Sequence, residues 1–177
     1  MVAELDLPRP VLVPQGYVLR GLKPDKEEVL IEVVNTAYES ERLRPGALAR
    51  WHSEDPAFNG TWVQVAEFEG KLVAAVVARS DHDFNQHYHA NRGYLGPAAT
   101  LPEHRGKGLG KALTAQAMNF LREQGLETVS LYTWGGNHPA LKLLKDPGVR
   151  VGHEWKILTK SVIGEKNDEP QREQRVG

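Results

Sequence analysis

Residues 101–111 read LPEHRGKGLGK, a glycine-rich stretch between two segments with regular hydrophobic patterns. Three glycines alternate within it, at positions 106, 108 and 110. The segment before it, from about residue 92 to 101, is predicted to be a strand. The segment after it carries apolar residues at helical spacing and is predicted to end at Gly125, the expected left-handed residue after a helix. The stretch is therefore predicted to form a sharp turn between a strand and a helix.

A turn of this kind is suited to bind a phosphate group. Successive main-chain N–H groups converge on one spot, where the helix dipole adds about half a positive charge. Two better-known phosphate loops do not fit. A Walker loop ending at Gly110-Lys111 requires Gly at 105 and Ser or Thr at 112, where the chain has Arg105 and Ala112. A dinucleotide fingerprint requires a small residue at 111 or 113 and is excluded as well. The glycines alone are also consistent with a purely structural turn.

The remaining hydrophobic patterns predict a layered α/β (α+β) protein with a mixed, mostly antiparallel sheet flanked by helices. In chain order we predict a strand at 17–22, helices from 24 and at 45–52, a hairpin of strands 61–68 and 71–78, a polar loop at 81–91, a strand at 92–101, a helix at 107–124, a strand at 128–134, a helix at 137–145 and strand material at 149–162. The helix at 107–124 is predicted to be a β-α-β crossover. Gly96-Pro97 interrupts one strand and predicts a bulge or an edge there.

Length and composition predict one domain in a chain of 177 residues. We place it at 16–163, after an extended lead-in (1–15) and before a polar, disordered tail (164–177). A net charge of −1 argues against nucleic acid as a partner. The absence of cysteine excludes disulfides and thiol intermediates. Because the chain shows neither a long apolar segment nor a signal peptide, we expect no membrane partner and a soluble, cytoplasmic protein.

The run Arg105-Gly106-Lys107-Gly108-Leu109-Gly110 resembles the signature of the GNAT superfamily of acyl-CoA-dependent N-acyltransferases. Asn137-x-x-Ala140-x-x-Leu143 follows at about the spacing of the family's next strand and helix. A weaker similarity extends to mycothiol synthase-like domains, through residues 19–39. The resemblance implies the GNAT fold with splayed central strands, and it gives the Gly96-Pro97 interruption a purpose, which is to open a slot for the cofactor.

The resemblance also implies acetyl-CoA as acyl donor and a set of cofactor-binding residues. Main-chain amides of the turn would hold the diphosphate, two basic side chains would add charge at the rim, one strand would pair with the pantetheine arm, and an asparagine would bond that arm near the thioester. The implied residues are Ala99, Thr100, Leu101, Arg105, Gly106, Lys107, Gly108, Leu109, Gly110, Lys111 and Asn137.

The implied reaction is transfer of an acetyl group from acetyl-CoA to the amine of a small molecule. An alkyl amine is only about one part in 2,500 neutral at pH 7, a deficit of roughly 4.6 kcal/mol that the site has to offset. The resemblance places Tyr94 where many members have a catalytic glutamate, and Leu144 where others have a tyrosine. We therefore predict Tyr94 and His138 as catalytic residues, with Tyr132, ordered water or a histidine of 82–89 as further candidates. Without cysteine, direct transfer in a ternary complex is expected.

Several alternatives stay open. A catalytically silent acyl-CoA-binding sensor or interaction module would share the fold and the turn. The segment 82–89 contains side chains that can bind metals, namely His82, Asp83, His87 and His89, but their spacing matches no specific metal motif. We therefore predict no metal site and expect this segment to be a polar loop that lines the acceptor pocket. Acceptor specificity is expected in 38–60 and 81–91. The tryptophans at 51, 62 and 134 are candidates for that pocket or for the core. The oligomeric state is undetermined, and a homodimer is one alternative.

Overall fold

The structure is a computed structural model that describes residues 1–133, 137, 141–142 and 149–152. Its described strands form one seven-stranded sheet. They are β1 (Val2–Glu4), β2 (Tyr17–Gly21), β3 (Val63–Phe68), β4 (Lys71–Ser80), β5 (Arg92–Thr100), β6 (Thr128–Leu131) and β7 (Val149–Arg150). The described α-helices are α1 (Glu27–Tyr38), α2 (Ala47–Glu54), α3 (His82–Tyr88) and α4 (Leu109–Glu123). Short 3₁₀ turns at Gly60–Trp62 and Pro102–His104 precede β3 and the glycine-rich turn.

The sheet runs in the order β2-β3-β4-β5-β6-β1-β7. All neighbouring strands are antiparallel except β5 and β6, which are parallel and joined through α4. This confirms the predicted mixed, mostly antiparallel sheet, the hairpin of β3 and β4, and the crossover through the helix after the glycine-rich turn. None of the helices in the described part of the chain is long and apolar enough to cross a membrane.

The core is built around β4, the most apolar strand. Every side chain from Leu72 to Ala78 is buried, which requires cover on both faces of the strand. Helices α1 and α4 both contact β4. Helix α4 buries one face that includes Leu109, Leu113 and Leu121, and it ends before Gly125, which has a left-handed φ of +83° as predicted. Two well-packed helices therefore fix the strand next to β5, which carries the candidate site.

Helix α1 begins later than the pattern around Pro24 and Asp25 suggests. Asp25 adopts a left-handed φ of 59°, and Lys26 precedes the first helical residue without a side-chain cap. The carboxylate of Glu27 instead accepts a hydrogen bond from the Leu48 amide, 2.9 Å away, in the first turn of α2. The acidic residue thus stabilises the N-terminus of the neighbouring helix, where the dipole favours negative charge.

Two segments differ from the sequence-based expectation. Residues 82–88 form α3 rather than a polar loop, closed by the left-handed C-cap residue His89. Within the predicted lead-in, Val2–Glu4 pair with β6, and Val2 and Ala3 also pair with β7, so these residues belong to the sheet. A strand of three residues carries almost no periodicity, and its partners are about 125 and 150 residues away along the chain. The predicted helix at 137–145, most of the strand at 149–162 and the tail at 164–177 fall largely or wholly outside the described residues.

Candidate active site

A cleft opens where β5 and β6 stop pairing. The parallel pairs run from Arg92↔Thr128 to Leu95↔Leu131 and end there. On the other edge, the β4–β5 register shifts between Val76 and Ala78, opposite Gly96 and Pro97, which confirms the predicted bulge. Beyond the bulge, β5 pairs with β4 on one side, and no strand in the described part of the chain pairs with its other edge. The cleft has a volume of about 670 Å³ and reaches from this bulge to the start of α4.

The glycine-rich turn presents main chain rather than side chains to the cleft. Gly106 and Gly108 have φ values of +76° and +86°, in the left-handed region that other residues rarely adopt. Gly108 is the N-cap residue of α4, which begins without a side-chain cap. A Cβ atom placed on any of the three glycines would meet no atom within 4 Å. The first amides of a helix have no intrahelical acceptor, so this turn offers an anion an open approach to oriented N–H groups.

The structure brings most of the predicted site residues to this one cleft. Those that line it are Tyr94, Ala99, Thr100, Gly106, Gly108, Gly110, Lys111 and Asn137. The side chains of the other predicted cofactor residues are placed differently. Leu109 is buried in the core, Leu101 packs against the core, and the Lys107 ammonium lies 5.9 Å from the centre of the Tyr17 ring. The Leu101 and Leu109 side chains therefore do not face the cleft.

Arg105 connects three elements instead of extending into the cleft. Its Nη2 donates to the Ala37 carbonyl at 2.7 Å, at the end of α1, and its Nε donates to the Thr100 carbonyl at 3.1 Å, at the end of β5. The guanidinium therefore fixes the glycine-rich turn against both neighbours. Arg105 does place a positive charge at the rim of the cleft, as predicted, but two of its N–H groups donate to main-chain carbonyls.

Arg105→Lys is expected to weaken acetyl-CoA binding roughly threefold to tenfold, because an ammonium group cannot reproduce both hydrogen bonds, each of which contributes about 0.5–1.5 kcal/mol. Calorimetric titration of the purified variant measures this change. Arg50→Lys is the matched control, since Arg50 lies on α2 outside the cleft. An unchanged affinity in Arg105→Lys would show that the turn holds its shape without this side chain.

The edge of β5 that faces the slot is defined by its hydrogen bonds. The Leu101 amide donates to the Val73 carbonyl at 2.9 Å, so the main-chain groups of this residue face β4. Because successive residues direct these groups to opposite edges of a strand, Ala98 and Thr100 face away from β4. The Ala98 carbonyl indeed accepts from the Tyr38 hydroxyl at 3.1 Å. Ala98 thus joins the predicted residue Thr100 on the open edge, whereas the main-chain groups of Ala99, like those of Leu101, face β4.

Tyr94 lines the cleft two residues before Gly96, where the bulge begins. A Cβ on Gly96 would be 2.8 Å from the Tyr94 hydroxyl oxygen, so the hydroxyl group occupies the space that this glycine leaves. The Tyr132 ring is 5.6 Å away between centroids, and the Arg79 guanidinium lies 5.5 Å from the Tyr94 ring centre. Burial raises the pKa of the Tyr94 hydroxyl above its ordinary value, while Arg79 and Arg42 partly oppose the rise. The group is therefore protonated at neutral pH.

The cleft also includes residues that the sequence analysis did not identify. Tyr38 and Arg42 line it from the end of α1 and the segment that follows, and Lys142 contributes a further cation. The Arg42 guanidinium carbon lies 5.3 Å from the centre of the Tyr38 ring. The expected acceptor region at 38–60 thus reaches the cleft through its first residues. No local pattern marks these two side chains, because only the packing of α1 on β5 places them there.

Other candidates lie elsewhere. Trp51 and Trp62 are buried in the core, where Trp51 packs edge-on against Phe58. Among the described residues that line this cleft, none comes from 81–91, so the expected lining by this segment is not seen here. Asp81 instead pairs with Arg92 at 2.6 Å. Within the described part of the chain, no group of three metal-ligand side chains lies close enough to bind an ion. His138, Leu144 and Trp134 lie outside the described residues.

The sequence is similar to known acetyltransferases. A mycothiol acetyltransferase of Streptomyces bingchenggensis is 32% identical over 143 residues, which cover 78% of this chain and 44% of that protein. One from Streptomyces coelicolor is 30% identical over 158 residues, covering 87% of this chain and 48% of that protein. The chain therefore spans about half the length of the curated relatives it matches.

The fold is shared with solved structures. An aminoglycoside acetyltransferase from an uncultured soil metagenomic sample superposes with a TM-score of 0.60 at 21% identity, covering 81% of this chain and 97% of that one. Arabidopsis thaliana Naa50, in complex with a bisubstrate analogue, gives a TM-score of 0.56 at 21% identity and covers 73% of this chain and 80% of that one. The sequence profile of the Acetyltransferase (GNAT) family matches residues 27–148, from the first residue of α1 to beyond the cleft. This chain therefore belongs to the Acetyltransferase (GNAT) family.

Proposed function

We propose that this chain transfers the acetyl group of acetyl-CoA directly to the amine of a small molecule bound in the same cleft. The observation that carries the proposal is the continuity of the cleft, which joins the glycine-rich turn, the open edge of β5 and the Tyr94 hydroxyl. Proteins of this family use acetyl-CoA as the donor. Because the chain contains no cysteine, no thiol is available to carry the acetyl group between the two substrates.

The glycine-rich turn fits the diphosphate of the cofactor. At its three glycine positions the turn has no side chains, and no atom lies within 4 Å of where a Cβ would be, so the main chain is open to a ligand. Helix α4 supplies partial positive charge at its start, and Lys111 adds a full charge in its first turn. The diphosphate would thus be held by main-chain N–H groups and by one ammonium. Arg105 would act indirectly, by fixing the turn.

The open edge of β5 fits the pantetheine arm, which carries two amide groups. An extended amide-containing chain pairs with a free strand edge through main-chain hydrogen bonds. Ala98 and Thr100 face this edge, and Tyr38 and Arg105 already bond to their carbonyls. We therefore expect their N–H groups to be the principal donors to the arm. Asn137 lines the same cleft and supplies an amide side chain beyond the end of β6.

The cleft favours the neutral form of the acceptor amine. Of the described residues that line it, three have cationic side chains, namely Arg42, Lys111 and Lys142, and none is Asp or Glu. Neighbouring positive charge disfavours an ammonium ion and so lowers the pKa of a bound amine. With Lys111 assigned to the diphosphate, Arg42 and Lys142 would reduce the cost of deprotonation without a dedicated carboxylate base. Tyr94, at the position where the family resemblance suggests a glutamate, is consistent with this scheme.

Tyr94 is the proposed proton donor. The amine nitrogen forms the new bond to the acetyl carbon while the bond from that carbon to sulfur breaks, and the departing thiolate takes up a proton. Thiols have a pKa near 8.5, well below that of a buried tyrosine. Proton transfer from Tyr94 to the thiolate is uphill on its own, so it would be coupled to uptake, by the Tyr94 oxygen, of the proton that the amine loses.

A non-catalytic acyl-CoA sensor is the second candidate. It is favoured by the presence of a tyrosine, Tyr94, where the resemblance suggests a glutamate. Such a module would bind the cofactor in the same cleft but would have no use for cations at the acceptor end. Cofactor binding without turnover on any amine is the result that would favour it.

A free-thiol release assay tests the proposed function. The purified chain is mixed with acetyl-CoA and a panel of primary amines that includes neutral, cationic and carboxylate-bearing members, and product is identified by mass. We expect CoA release that depends on the amine and gives the N-acetyl product in equal amount. Intact-mass analysis without amine should show no acetylated chain. A stable acetyl-enzyme would contradict direct transfer, and amine-independent release would contradict the proposed reaction.

A further inference from the structure

We propose that Arg42 forms an anion subsite at the acceptor end of the cleft, so that the physiological acceptor is an amine that also carries a carboxylate group. This inference rests on the proposed function for the reaction, but the subsite itself is a property of the protein and can be measured without turnover. The inference is based on where Arg42 lies in the cleft, on the charges around it, and on the ion pairs that its neighbours form.

Arg42 belongs to the acceptor end of the cleft. It follows α1, stacks over the Tyr38 ring, and lines the cleft together with Tyr94 and the bulge residues Gly96 and Pro97. Tyr38 is in turn anchored by its hydroxyl to the Ala98 carbonyl at 3.1 Å. The diphosphate would lie at the other end, at the start of α4. Arg42 is therefore placed near the reacting atoms rather than near the cofactor phosphates.

The charges around Arg42 leave it available for an external anion. Among the described ion pairs, Glu41 is paired with Arg44 and Glu54 lies near Arg50 and Arg79. None of the ion pairs within the described residues involves Arg42. Arg79, the other arginine near Tyr94, lies between the Trp51 and Tyr94 rings and 3.6 Å from the Glu54 carboxylate. Arg79 is thus partly neutralised, whereas Arg42 keeps its full charge.

The geometry favours a carboxylate as the partner. A guanidinium group is planar and presents paired donors that match the two oxygens of a carboxylate. The Arg42 guanidinium carbon lies 5.3 Å from the centre of the Tyr38 ring, a cation–π contact that favours this position of the side chain. The ammonium form of an acceptor without an anionic group would be repelled by the charge of Arg42. A carboxylate on the acceptor would offset that repulsion and hold the amine at the bulge.

The test compares acceptors that differ only in charge. Glycine, β-alanine and 4-aminobutyrate place the carboxylate progressively further from the amine, and each is paired with its carboxamide. Rates are referred to the concentration of neutral amine, because the carboxamides have a different amine pKa. In the wild-type chain we expect at least one carboxylate to exceed its carboxamide about tenfold or more in kcat/KM, mainly through KM. Arg42→Gln should remove this preference, and Arg42→Lys should retain part of it.

Two controls separate this inference from its alternatives. Arg44→Gln removes a neighbouring arginine that is paired with Glu41 outside the cleft, and should leave the preference unchanged. Arg42→Gln should leave the acetyl-CoA affinity unchanged. A weaker affinity for acetyl-CoA in Arg42→Gln would assign Arg42 to the cofactor and overturn the proposal. Equal or better use of every carboxamide by the wild type would also overturn it.

A binding measurement tests the subsite even if no amine is acetylated. The three amino acids are then titrated by calorimetry into the chain loaded with CoA. Arg42-dependent binding of one of them would support the subsite while the proposed transfer fails. No detectable binding of any of the three to the wild-type chain, in the absence of turnover, would overturn the subsite as well.

Discussion

Gly110→Glu is expected to lower the affinity for acetyl-CoA at least about 100-fold while the domain stays as stable as before or becomes more stable. Gly110 lies exposed in the first turn of α4 and lines the cleft, and a Cβ there meets no atom within 4 Å. Replacing an exposed helical glycine removes about 1 kcal/mol of unfavourable propensity. A carboxylate near a helix N-terminus contributes about 0.3–1 kcal/mol more. The same carboxylate would, however, occupy and repel the proposed diphosphate site.

The opposite signs of the two effects make this variant informative. Calorimetry measures the affinity, and thermal unfolding measures the stability, with an expected rise of roughly 2–4 °C per kcal/mol for a domain of this size. Ala49→Glu is the matched control, since it places the same charge in the first turn of α2 at an exposed position outside the cleft. Gly110→Ala should give an intermediate loss of affinity. If Gly110→Glu binds acetyl-CoA like the wild type, the diphosphate is held elsewhere.

Tyr94→Phe is expected to lower kcat about 10-fold to 100-fold without changing the acetyl-CoA affinity. The change removes one hydroxyl group and keeps the half-buried ring, together with its contacts to Tyr132 and Arg79. Removing a proton donor to a departing group typically costs a factor of this order or more. Because the hydroxyl lies beside Gly96, at the bulge that opens the cleft, the loss should appear in kcat and not in cofactor binding.

The pH profile adds a second measurement of Tyr94. Burial raises the pKa of its hydroxyl, so the proton donor is present at neutral pH and is lost only when the pH rises above the ordinary tyrosine range. The wild-type rate should therefore increase with pH as the acceptor amine deprotonates, and should decline only in strong alkali. Tyr94→Phe should lack that decline. Tyr88→Phe, at an exposed ring outside the cleft, is the control. A wild-type rate that already falls between pH 7 and 9 would contradict the assignment.

Local patterns predicted the elements that bury many residues. The hairpin of β3 and β4 and helix α4 were confirmed because their apolar periodicity is long and their ends are marked by turn residues. Helix α3 was missed because it buries no residue and so has no apolar face. Strand β1 was missed because it is three residues long and depends on distant partners.

The candidate site also has features that local sequence predicts and features that depend on tertiary packing. The glycine-rich turn and the β5 bulge are encoded locally, by glycine and proline at defined positions, and were predicted from the sequence. The roles of Tyr38, Arg42 and Arg105 depend on where the end of α1 packs against β5, which no local pattern reveals. Electrostatic properties of the cleft, including the absence of acidic side chains among its described lining residues, likewise emerge only when distant segments meet.

The most direct test of the central claim is to map the acetyl-CoA site on the main-chain amides of the isotope-labelled chain by NMR. We predict that the largest amide shifts occur in the turn at 106–111 and along β5 at 96–100, on the two sides of the cleft. Truncating the cofactor to its acetylated pantetheine part should remove the shifts at 106–111 and keep those on β5. Saturating acetyl-CoA without shifts in either segment, or with shifts confined to the groove between α1 and the turn at Glu69-Gly70, would contradict the account.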